Sequence, residues 1–222
     1  MKKAISLLMA IGMFSMSILS IGAYGNITRT APDVTQRESW LCAPSSVAST
    51  LTYINQVYLS SYSPLINTRA YQVTIGYSVG VGNPDTNNPS YGGDDTTMKN
   101  YLNSHQTYRP TPYVYTVKPV YAAPSGVTGF LNNIYNSLSN YAPAILHVKC
   151  NFATFGYNTT GGHFMVAYAI SGASSSPSGT NIIGVVDPNR QLVDPSLSPK
   201  TTYTGKQLHD ATRENAVWNV IS

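Results

Sequence analysis

HFMVAYAISGASSSPSGTNIIGVVDPN, residues 163–189, is the stretch on which the fold turns. Its flanks, His163 to Ile170 and Asn181 to Val186, are apolar runs rich in β-branched and aromatic residues. Ser171 to Thr180 between them is a Gly, Ser and Pro connection, so the stretch reads strand, loop, strand. Ala144 to Val148, after Pro143, has the same character and adds a third strand. If Ala169 pairs with Asn181 across the loop, Asp187 stands directly opposite His163. Such cross-strand partners share a face with Cβ atoms about 4.5–5.5 Å apart, close enough for a carboxylate to fix one imidazole nitrogen. A slip of one residue would put the two on opposite faces.

Upstream of this sheet the period changes to that of helices. From Cys42 to Tyr58, Val47, Leu51, Ile54 and Tyr58 recur at the spacing of a helix with one buried face, and Pro44 fits in its first turn. Thr96 to Ser104 and Val127 to Tyr141 read as two more helices, the latter with Phe130, Ile134 and Leu138 spaced by four. Tyr113 to Val120 alternates like a strand. Ser60 to Asp95, rich in Tyr, Gly, Asn and Pro, reads as a loop leading to the Thr96 helix. Helices first and strands later predict an α+β fold, with an N-terminal helix packed on a C-terminal antiparallel sheet.

Composition bounds the function. The chain has 222 residues, of which only 10% are charged and 42% are apolar or aromatic. That is enough for a core and too ordered for a disordered or coiled-coil chain. Lys2 and Lys3 precede an apolar stretch, Ala4 to Ile21, and Ala23-Tyr24-Gly25 supplies the small-residue pattern of a cleavage site. Residues 1–25 therefore read as a signal peptide and 26–222 as a single domain, secreted or periplasmic and monomeric, with no membrane segment in the mature form. The formal charge of +4 includes Lys2 and Lys3, so the mature chain is nearly balanced and charge-driven nucleic-acid binding has no support. Two cysteines exclude a disulfide scaffold and a four-thiolate zinc site.

Four residues concentrate the chemistry. Cys42 opens the first helix, where unpaired N–H groups and the dipole favour a thiolate; taken alone it fits equally a buried inert thiol or half of a disulfide with Cys150. His163 and Asp187 follow from the hairpin. Gln36, six residues before Cys42, can point an amide N–H at an oxyanion beside the Cys42 backbone. Trp40 and Gly162 are expected to wall the cleft. His105, His147 and His209 lack metal-ligand spacing and read as structural. Asn83, Asp85, Asn87, Asp94 and Asp95 lack the spacing of a calcium loop. No metal or cofactor is implied. Tyr108, Tyr113 and Tyr115 read as strand packing, and Trp218 as core.

Gln36-Arg37-Glu38-Ser39-Trp40-Leu41-Cys42-Ala43-Pro44-Ser45-Ser46, Gly162-His163-Phe164-Met165-Val166 and Val185-Val186-Asp187-Pro188-Asn189 resemble the papain-like cysteine peptidases. The nearest likeness is to secreted stand-alone relatives of the double-glycine leader peptidases of bacteria, which process bacteriocins. The resemblance covers most of residues 36 to 190. It implies a papain-like fold with Cys42 as nucleophile, His163 as base, Asp187 as orienter and Gln36 as oxyanion donor. The implied activity is a secreted thiol hydrolase that cleaves peptide or isopeptide bonds in a peptide or protein substrate. Ala43 stands where the family has Gly, the Ser60–Asp95 insert is long, and residues 191–222 have no counterpart. The same triad would serve an amidase, a deamidase or an acyl transferase, and a binding module with a Cys42–Cys150 disulfide is the non-catalytic alternative.

Overall fold

The computed structural model describes residues 26–64, 66–86, 92–120, 125–172, 177–214 and 219–222. Among them lie seven helices and seven strands, an α+β arrangement. The strands are β1 (Ile27–Thr28), β2 (Val117–Pro119), β3 (Ala144–Val148), β4 (His163–Ser171), β5 (Ile182–Val186), β6 (Lys200–Thr204) and β7 (Asn219–Ile221). The helices are α1 (Cys42–Tyr58), α2 (Arg69–Ser78), α3 (Asp95–Ser104), α4 (Ser125–Ser139), α5 (Phe152–Phe155), α6 (Arg190–Val193) and α7 (Gly205–Arg213). The signal-peptide reading and Trp218 lie outside the described residues.

All the strands join one antiparallel sheet in the order β2-β7-β3-β4-β5-β6, with β1 beside the far end of β4. Helices cover both faces, which is why the central strands are continuous apolar runs rather than alternating ones. Phe164 and Val166 of β4 enter a core with Val47, Leu51 and Ile54 of α1 and Met98 and Leu102 of α3. Met165 and Ala167 enter the opposite core with Phe130, Leu131, Ile134 and Leu138 of α4 and Leu208 of α7.

Helix α1, which opens with Cys42, packs on β4 and β3, as the sequence predicts, but it is buried on all sides rather than along one stripe. Every residue from Cys42 to Asn55 is buried because α2, α3 and the sheet surround it, and its many Ala, Ser and Thr side chains let them approach closely. Tyr58, read as part of the stripe, is exposed past the covered portion.

The hairpin register differs from the expected one. Asn181 does not pair with Ala169; its side chain donates to the Ser171 and Gly172 carbonyls and closes the loop instead. The ladder runs Ser171↔Ile182, Ile170↔Ile183 and Ala169↔Gly184, then shifts at a bulge to Ala167↔Val185 and Val166↔Val186. Continued past the bulge it places Asp187 opposite Met165, two residues from His163 and on the same face. Without the bulge the register would put His163 and Asp187 on opposite faces. The bulged residue, Tyr168, gives its carbonyl to the Arg29 N–H.

Two further elements depart from the sequence reading, and a third stands without one. The Ser60–Asp95 stretch contains α2, capped by Thr68, whose side chain accepts from the Tyr71 N–H. The strand read over Tyr113 to Val120 is confined to β2, because the Tyr113 and Tyr115 N–H groups donate to the side-chain oxygens of Gln106 and Asn103. Beyond residue 190, where the resemblance offers no counterpart, two strands join the sheet: β6 pairs with β5, and β7 lies between β2 and β3.

Candidate active site

The site lies where the two cores meet at one end of the sheet, with Cys42 from one core and Cys150 and Tyr157 from the other. Leu41, the N-cap of α1, provides no side-chain acceptor, so the first-turn N–H groups are not satisfied by a cap. His163 and the backbone N–H groups of Ala43 and Phe164 stand around the Cys42 sulfur and favour its thiolate. His163 Nε2 lies 2.9 Å from Asp187 Oδ1, which leaves Nδ1 as the ring nitrogen for Cys42. Asp187 is fully buried; its Oδ1 also accepts from the Asn189 N–H at 3.0 Å and its Oδ2 from the Tyr157 hydroxyl at 2.7 Å.

This wiring sets the electrostatics. Burial alone would raise the Cys42 pKa, yet the hydrogen bond and charge of His163, with the two backbone N–H groups, lower it below the ordinary thiol value. Burial alone would lower the His163 pKa, yet its bonds to Asp187 and Cys42 raise it. Both shifts favour the pair as thiolate with imidazolium. Cys150 is the opposite case: burial drives its pKa up, so it stays a thiol, and its Sγ faces the Tyr157 hydroxyl at 3.5 Å. Both cysteines are free, so the Cys42–Cys150 bridge weighed from the sequence is not formed in this structure.

Gln36 is buried beside the loop that follows Asp187. Its N–H donates to the Pro188 carbonyl at 2.9 Å and its Nε2 to Asn189 Oδ1 at 3.0 Å. An open cleft of about 500 Å³ runs past Cys42 and His163, lined by Trp40, Thr159, Thr160, Gly162 and Asn189 among others. Trp40 and Gly162 thus wall it as expected. Asn189 lines this cleft and accepts from the buried Gln36 side chain. A second depression of about 410 Å³, lined by Lys118, Phe130 and Asn133, holds no acid–base pair.

The Ser60–Asp95 insert has a role that sequence reasoning missed: it braces the Gln36–Cys42 loop. Gln72 of α2, fully buried, donates to the Thr35 carbonyl and accepts from the Arg37 N–H, each at 2.9 Å, and so clamps the chain on both sides of Gln36. Trp40 Nε1 donates to the Pro84 carbonyl at 3.3 Å, and Arg69 pairs with Glu38 at 3.0 Å. A Cβ built on Gly93 would stand 2.2 Å from that of Ala43, the residue beside the nucleophile.

The other residues weighed from the sequence go elsewhere. Asp94 caps α3 by accepting from Thr97, and Asp95 binds His147 and Asn219. His105 stacks on Tyr101, His147 on Phe164, and buried His209 meets the Phe130 ring edge-on. Among the described residues no three His, Cys, Asp or Glu side chains are grouped so as to hold a metal ion. The chain matches no known family model and none of the curated proteins.

Proposed function

We propose that this chain is a papain-like cysteine peptidase, a secreted thiol hydrolase that cleaves peptide or isopeptide bonds in a peptide or protein substrate. The observation that carries the reading is the Cys42–His163–Asp187 chain, whose thiol is held below and whose imidazole above its ordinary pKa at the wall of an open cleft. A thiolate bonded to a carboxylate-oriented imidazolium is the resting state of a nucleophile–base pair. The leader-like residues 1–25 argue for export.

In the proposed cycle the Cys42 thiolate attacks the scissile carbonyl and its electron pair becomes the new C–S bond, leaving negative charge on the carbonyl oxygen. The uncapped Cys42 N–H and the second amide N–H of Gln36, beyond the one given to Asn189, stabilise that oxygen. His163 gives its proton to the leaving amine as the C–N bond breaks. It then takes a proton from water, which attacks the thioester and releases the acid and the thiolate.

Incubating the mature protein with a mixed peptide library and sequencing new termini tests the reading. New termini that vanish in Cys42→Ala, with Asp187→Ala retaining more activity than His163→Ala, are expected. Full cleavage by Cys42→Ala would overturn the assignment. Released ammonia or a transferred acyl group in place of new termini would move the same triad to an amidase, deamidase or transferase.

A further inference from the structure

The triad does not end at Asp187. Its carboxylate has two oxygens in a pocket with no solvent exposure. Oδ1 serves His163 and the Asn189 N–H, and Oδ2 accepts the Tyr157 hydroxyl at 2.7 Å. Behind Tyr157, the Cys150 thiol donates to the phenol oxygen at 3.5 Å. Because that oxygen is already an acceptor, the phenol proton is committed to Asp187. The ring is held in place by its own loop. Gly156 turns the chain at φ 78°, a conformation that a Cβ disfavours, and Cys150 and Thr159 exchange bonds at 3.0 and 3.1 Å to close the loop. The Tyr157 ring packs on Phe155 and meets the His163 ring edge-on, with centroids 6.2 Å apart.

We propose that Tyr157, backed by Cys150, is a positioning residue: it acts through Asp187, fixing the carboxylate in a dry pocket so that Oδ1 faces His163. The inference rests on the functional reading above and adds to the triad a fourth side chain that touches neither substrate nor Cys42. Removing the phenol hydroxyl leaves Oδ2 without its donor and the carboxylate free to turn, which weakens its hold on the imidazolium. The thiolate–imidazolium pair then forms only at higher pH. The titratable groups that face Asp187 are His163 on β4, Tyr157 after α5, Cys150 after β3 and Tyr203 on β6, the last also near Arg190 of α6. Of these only Tyr157 is changed in the test, and its own pKa is driven up by burial and by the Asp187 charge, so it stays a donor throughout.

The experiment is alkylation of Cys42 by iodoacetamide across pH, with the labelled residue read by mass spectrometry and folding followed by circular dichroism. Tyr157→Phe keeps the ring and its packing. Its acid limb is expected to move up by about one pH unit, so that at the wild-type midpoint Cys42 reacts several-fold more slowly. A merely structural role would lower the melting temperature without moving that limb. Tyr157→Phe combined with Asp187→Asn should react no more slowly than Asp187→Asn alone, because both act through one carboxylate. An unmoved limb, or losses that add, would overturn the positioning role and leave the peptidase reading intact. If Tyr157→Phe proves unfolded, Cys150→Ala decides by the same limb, a smaller upward shift supporting the role and none overturning it. A wild-type Cys42 that titrates as an ordinary thiol would overturn both readings.

Discussion

At the scale of single residues, the account separates groups that prepare the thiolate from groups that receive the oxyanion. Iodoacetamide develops no oxyanion when it alkylates a thiolate. Gln36→Ala is therefore expected to lower kcat by about 10²-fold while leaving Cys42 alkylation unchanged, whereas His163→Ala lowers both; parallel rate measurements check this. A fall in alkylation with Gln36→Ala would move that residue into the thiolate's support. Cys42, Gln36, His163 and Asp187 were legible because each lies in a short local pattern: a helix start, an offset of six, a strand start and a strand end. Tyr157 and Gln72 carried no such signal. A Tyr among 17, or a Gln in a polar stretch, acquires meaning only when the fold brings a buried acceptor to it. The predicted His163–Asp187 contact is present through a different register, because the sequence did not reveal the bulge at Tyr168 that restores the shared face.

At the scale of elements, α1 is held at its Cys42 end by the loop preceding α3. Ala43 stands where related-looking sequences carry Gly, and Gly93 supplies the space that the Ala43 methyl fills. Gly93→Ala should cost about 1–3 kcal/mol and displace the start of α1, read as a lower denaturant midpoint and slower Cys42 alkylation. Adding Ala43→Gly should restore much of both, and an absence of recovery would show that the two sites do not share that space. The helix over Cys42–Tyr58, from its apolar spacing, and the strand over Ala144–Val148, from its buried apolar run, were read from sequence with the bounds the structure has. α2 was missed for the converse reason. Only Gln72, Ile75 and Gly76 of its ten residues are buried, so no apolar stripe marks it, and its start depends on a Thr68 cap inside a loop-like composition.

At the scale of the whole molecule, the C-terminal segment completes the sheet. β7 lies between β2 and β3, and its Val220 and Ile221 are fully buried, one in each core. Burying each contributes about 1.5–3 kcal/mol, a large part of the roughly 5–15 kcal/mol that holds a domain folded. A chain ending at residue 218 is expected to lose its cooperative melting transition by circular dichroism; retention of the full-length melting temperature would show that β7 is dispensable. The sequence hid this because a three-residue strand has no readable period, and because its neighbours β2 and β3 are distant in the chain. Long-range pairing and close burial together bring Cys42, His163 and Asp187 into one site, and the central claim is that this site holds a thiolate at rest. The most direct test is alkylation of the folded protein by limiting iodoacetamide from about pH 4 to about pH 9, against His163→Ala. Since His163 lowers the thiol pKa and its own is raised, the imidazolium is present wherever the thiolate forms. The account predicts selective labelling of Cys42 over Cys150, persisting well below the ordinary thiol value of about 8.5 and shifted upward in His163→Ala. Labelling that rises only near the ordinary value, with no change in His163→Ala, would contradict it.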